Sequence, residues 1–127
     1  MGNTLFLPEV REMLTEQDRE GLQQFATALN PARTAEFMDG LTPEEAWQVL
    51  KNVDSVRGAD IFMYFEHDRQ IDILRTQSPS ELALLICELS ADDRVDLLQE
   101  LDTDRVQELI SLLPAAERRE EIGRAHV

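Results

Sequence analysis

The sequence predicts an all-α fold, a right-handed superhelix of short helices built on a twelve-residue repeat. Three observations predict it. Apolar residues recur every twelve positions at Leu29, Leu41, Val53, Phe65, Leu89, Leu101 and Leu113, with Gln77 the one exception. The next position in each unit is Asn30, Thr42, Asp54, Glu66, Ser78, Ser90, Asp102 or Pro114. Six of these eight carry the short oxygen side chains that accept a bond from a free N–H in a first helical turn. The ninth and tenth positions are apolar pairs throughout: Phe37-Met38, Val49-Leu50, Ile61-Phe62, Ile73-Leu74, Leu85-Ile86, Leu97-Leu98 and Leu109-Ile110.

Each element follows from local chemistry. Residues 8–14 read as a first helix, with Pro8 tolerated in its first turn. Residues 15–18 break it, and 19–29 form a second helix with Leu22, Phe25, Ala26 and Leu29 on one side. From there each unit is a helix of about nine or ten residues and a short turn. Pro31, Pro43 and Pro79 stand at first helical positions, where a missing N–H costs nothing. Thr42 with Glu45, and Ser78 with Glu81, fit the reciprocal capping box. Such short helices are unstable alone, so successive units must stack and bury a continuous apolar seam. Residues 61–65 are a dense apolar cluster, expected at a core crossing, and Trp47 is expected to pack in the core.

The most complete unit spans residues 89–101. Ser90 is its cap, and Asp92 and Asp93 sit where negative charge suits the helix dipole. Val95, Leu97, Leu98 and Leu101 form the apolar face, while Asp92 and Asp96, four apart, share another.

The 127 residues suit one domain, placed at 1–121. Twenty-six acidic residues against twelve basic ones give a net charge of −14. Phosphate backbones and anionic membrane surfaces are repelled by such a chain, so no nucleic acid and no direct membrane insertion are expected. Cations and basic partners are favoured. No apolar run approaches the ~18–20 residues of a membrane span, and no signal peptide begins the chain. Cys87 is alone and reads as a buried, inert thiol. No phosphate loop, nucleophile elbow, zinc-protease motif or cysteine pair is present, so no enzyme is expected. His67 lacks a companion His or Cys for zinc and reads as a surface residue near a helix start. What remains is oxygen-rich: Asp92 and Asp96, with Asp93 and Glu100 close by, are the donor type that hard divalent cations such as Mg²⁺ prefer.

Three stretches carry a family resemblance: Leu41-Thr-Pro-Glu-Glu-Ala-Trp-Gln-Val-Leu50, Gly58-Ala-Asp-Ile-Phe62 and Leu89-Ser-Ala-Asp-Asp-Arg-Val-Asp-Leu-Leu98. Over nearly all of residues 10–120 the chain resembles the cytosolic N-terminal domain of the MgtE family of magnesium transporter-channels. The resemblance implies a right-handed superhelix that precedes CBS and transmembrane domains in a homodimeric parent of the inner membrane, with this domain on the cytoplasmic side. It implies regulatory Mg²⁺ bound between these parts to favour the closed state, with Asp60, Asp92 and Asp96 as this chain's ligands. The fragment itself is expected to be mainly monomeric. The alternative is a helical-repeat interaction module without an ion role, similar to the flagellar motor-switch protein FliG.

Residues 122–127 break the repeat. Ile-Gly-Arg-Ala-His-Val is also what a widely used short-read sequencing adapter encodes before a stop, so a non-native or disordered tail is expected there.

Overall fold

A computed structural model describes the backbone of residues 7–125 and the side chains of residues 7–117. Residues 126 and 127 of the tail expected at 122–127 lie outside the described residues, as do the side chains of the rest. Among the described residues the fold is all-α, without strands. The helices are α1 (Leu7–Glu16), α2 (Arg19–Ala28), α3 (Pro31–Phe37), α4 (Pro43–Leu50), α5 (Ser55–Phe62), α6 (His67–Thr76), α7 (Pro79–Cys87), α8 (Ala91–Leu98) and α9 (Thr103–Ala125).

The capping positions read from the repeat are the N-caps of α3 to α8. Asn30, Thr42, Asp54 and Ser90 accept the backbone N–H of Arg33, Glu45, Arg57 and Asp93 at 2.9–3.1 Å. Thr42 and Glu45 close the expected capping box, with Thr42 donating its backbone N–H to Glu45 Oε1 at 2.9 Å. Ser78 and Glu81 do not. Ser78 Oγ lies 3.2 Å from Ser80 Oγ, and Glu81 is taken up by α4. Leu29, expected on the apolar side of α2, is exposed because the chain is already extended at this C-cap.

Pro114 marks the largest departure. Its place in the repeat predicts a helix start, yet α9 runs through it. Packing against α7 carries the helix past the missing N–H: Ala116 is buried, and the Leu113 carbonyl faces Cys87 Sγ at 3.9 Å.

Two rows of helices make the body. α3 packs on α5, α5 on α7 and α7 on α9, while α2 packs on α4 and α4 on α6. The apolar pairs fill the space between them. Phe37 through Ile86 are buried in every unit, and Phe62 and Phe65 meet edge to face with centroids 6.0 Å apart. Gln70, buried among them, donates to the Phe62 carbonyl at 3.0 Å. No buried side-chain nitrogen or oxygen lacks a partner among the described residues.

In α4, α5, α6, α7 and α9 the third helical residue links helices three apart, whereas Arg33 of α3 pairs with Glu36 of its own helix. Glu45 of α4 pairs with Arg11 of α1, and Glu81 of α7 accepts from Trp47 Nε1 of α4 at 3.3 Å and meets Lys51 at 3.5 Å. At Arg57, Arg69 and Arg105 it reaches the carbonyls that end an earlier helix. Arg57 donates to the Ala26 and Leu29 carbonyls, Arg69 to Asp39 and Leu41, and Arg105 to Leu74 and Gln77. Helix C-termini present unpaired carbonyls and partial negative charge, so a guanidinium fork there satisfies both at once.

Candidate functional site

The candidate ligands sit on two short helices held by the same device. Asp60 is the sixth residue of α5, and Asp96 is the sixth residue of α8. Around Asp60, the side chains of Ala59, Ile61 and Phe62 are buried, which fixes the helix and turns the Asp60 carboxylate to solvent. Asp92 stands one turn before Asp96 on α8, and both are exposed. Residues four apart on a helix have Cβ atoms about 5–6 Å from each other, so these two carboxylates can address one cation or its water shell.

Arg94 lies between them in the sequence but, two residues from each, on a different face of α8. Its Nε–H donates to the Ile86 carbonyl and Nη2–H to the Cys87 carbonyl, both at 3.0 Å, so the guanidinium points at the end of α7. Its remaining ionic contact is Glu117 at 3.9 Å. Arg57, three residues before Asp60, is likewise drawn to the end of α2. None of Asp60, Asp92 and Asp96 forms an ion pair or side-chain hydrogen bond among the described residues. Both arginines are engaged at the ends of other helices, and the three carboxylates stand without an ion-pair partner among the described residues.

These three do not come together as a closed cage. Among the described residues no group of three or more His, Cys, Asp and Glu side chains could hold a metal ion. His67 contacts Glu100, tying the start of α6 to the turn after α8, and takes no part in a metal cluster. Cys87 is half-buried, rather than buried as expected. A cleft of about 400 Å³ between α4, α5 and α7 is lined by Trp47, Lys51, Asn52 and Glu81, whose polar groups are already engaged with one another or with backbone.

Three ionisable groups elsewhere are shifted, Arg11 upward by its hydrogen bond to Glu45. The hydrogen bond from Arg11, together with the Thr42 N–H, holds the Glu45 carboxyl below the usual glutamate range. Burial lowers the Arg69 guanidinium, opposed by Asp39 and Glu66, and arginine stays charged at neutral pH.

Sequence reasoning missed the arginines. Their signal was nevertheless present, since Arg57, Arg69 and Arg105 recur at the same place in the twelve-residue unit.

Among the described residues no helix is long and apolar enough to cross a membrane. Neither the curated proteins nor the solved structures yield a match. The model of the MgtE intracellular N domain does, over residues 29–124, which takes in α3 to α8, nearly all of α9 and all three candidate ligands. The chain belongs to the MgtE intracellular N domain family, the intracellular part of a family of membrane transporters.

Proposed function

We propose that this chain is the cytosolic Mg²⁺-sensing regulatory domain of a magnesium transporter or channel. Asp60, Asp92 and Asp96 supply one side of ion sites that the CBS and transmembrane domains of a homodimeric parent complete. The observation that carries the reading is that Asp92 and Asp96, four apart on one exposed face of α8, have no ion-pair partner among the described residues. Family membership supports it independently.

The mechanism is electrostatic. At low Mg²⁺ the acidic faces of neighbouring domains repel one another. An ion inserted between them removes the repulsion and lends its charge to both sides, which favours the closed state. Its effect on the equilibrium equals its differential affinity for the closed arrangement. Mg²⁺ keeps several waters and takes one or two carboxylates, so the open pair on α8 fits it better than it fits a cation needing six or more protein oxygens. The domain carries no reaction and binds no nucleic acid. It is monomeric alone and acts beside the cytoplasmic face of the membrane without inserting.

A domain that holds half of each site binds its ion weakly by itself. Titration of the chain with Mg²⁺, followed by amide NMR shifts, tests this. Shifts concentrated at residues 92–96 and reduced in Asp92→Ala and Asp96→Ala support the reading. Shifts spread evenly over all acidic faces, and unchanged in the variants, would sink it.

A further inference from the structure

The groove between α8 and α9 is built differently from its counterparts in earlier units. The seventh position of the repeat is buried at Ala35, Trp47, Ala59 and Ala83, but Val95 is 61% exposed. The tenth position is buried from Met38 to Ile86, but Ile110 is 49% exposed. Val95, Leu98, Val106, Ile110 and Leu113 thus line an open apolar groove of about 780 Å³.

The earlier units show what chemistry covers this face. In α3 to α7 the same positions pack against other short amphipathic helices of the fold, fully buried except at the half-buried Ile71. Charge says which kind of helix fits here. Residues 91–117 carry eight acidic side chains and two arginines, Arg94 and Arg105. Both arginines are bound to carbonyls of earlier helices. Asp92 stands one turn before Val95 on α8, and Glu117 meets Arg94, a residue of the groove wall. A second copy of this chain, at −14, would bring like charge against like.

We infer that the α8/α9 groove is a docking site for an amphipathic helix of a partner protein, with aliphatic residues on one face and Lys or Arg along both flanks. The apolar face replaces the covering that earlier units receive from within the chain. The basic flanks meet the carboxylates and speed the encounter. The site requires no metal ion, so it stands or falls separately from the Mg²⁺ reading.

The test uses the whole chain in chelator and a fluorescent helical peptide of about fifteen residues, with Leu at i, i+3, i+4 and i+7 and Lys on both flanks. A permuted peptide of the same composition keeps the charge but scatters the leucines. The groove variants are Val95→Asp and Ile110→Asp, at exposed positions where the fold is retained, as circular dichroism checks. Each adds negative charge, so attraction of lysine alone would strengthen binding. The account expects the helical peptide to shift amides of residues 91–113 and to bind at least about tenfold tighter than the permuted one. It expects each variant to weaken binding by about tenfold or more. Equal binding of the permuted peptide, unchanged or stronger binding by the variants, or shifts confined to other helices would overturn the proposal. So would a dimer of the chain in sedimentation that Val95→Asp dissolves, because the occupant would then be a second copy.

Discussion

Arg105 of α9 donates its Nε–H to the Leu74 carbonyl at 2.8 Å, across 31 residues of chain. Arg57 of α5 makes the same bond to Ala26 at 2.9 Å, also across 31 residues. In both cases a second nitrogen of the guanidinium reaches a carbonyl three residues further on, Gln77 or Leu29. The repeat is thus closed by a polar contact as well as by its apolar pairs. An arginine early in one helix caps the end of the helix three before it.

That contact predicts an asymmetric mutational response. Arg105→Ala leaves half-buried carbonyls without their donor and should cost about 2–3 kcal/mol. Arg105→Lys should recover only part of this, because an ammonium cannot serve two carbonyls with a planar fork. Urea unfolding of the three proteins checks the order. Equal stability of Arg105→Ala and the parent chain would show that the contact contributes nothing.

The apolar pairs should differ in value along the chain. Phe62 is fully buried, and Phe62→Ala should cost about 3–5 kcal/mol, a large share of the stability of a domain this size. Ile110 occupies the corresponding place in α9 but is half exposed, and Ile110→Ala should change stability by less than about 0.5 kcal/mol. Thermal or urea denaturation separates the two. A large loss at Ile110 would mean that the groove is closed in solution.

Acid should weaken the link between α1 and α4. The Glu45 carboxyl is held below its ordinary value by the Arg11 hydrogen bond and the Thr42 N–H. A carboxyl depressed in the folded state stabilises fully above its unfolded value, near 4.5, and loses that contribution as pH falls through the lower folded value. Glu45→Gln keeps a cap acceptor but not the charge. It should be less stable than the parent at neutral pH, and the gap should close under strong acid. A gap that is constant with pH would contradict the assignment.

Legibility in the sequence followed the range of the interaction. The N-caps at Asn30, Thr42, Asp54 and Ser90 were readable because each acts on an N–H three residues away. The buried pairs were readable because their spacing repeats. Ser78 escaped because Glu81, its expected partner, is held by Trp47 and Lys51 of another helix. Pro114 escaped because packing on α7 outweighs the local preference of proline. The same holds for the site. Asp92 and Asp96 were visible as a pair from their spacing. That Arg94 ties α8 to the end of α7 was not, since its acceptors, the Ile86 and Cys87 carbonyls, are fixed only by the packing of the two helices.

The central claim is that Asp60 and the Asp92–Asp96 pair take a divalent cation, in preference to the many other carboxylates of an acidic chain. Mn²⁺ is the direct probe, because it bleaches amide NMR signals close to where it binds. At substoichiometric Mn²⁺ the account predicts bleaching at the C-terminal half of α5 and along α8, reversed by excess Mg²⁺ and lost on α8 in Asp92→Asn/Asp96→Asn. Equal bleaching at Asp68 and Asp72 on α6 and at Asp102 and Asp104 before and within α9, unaffected by those substitutions, would contradict it.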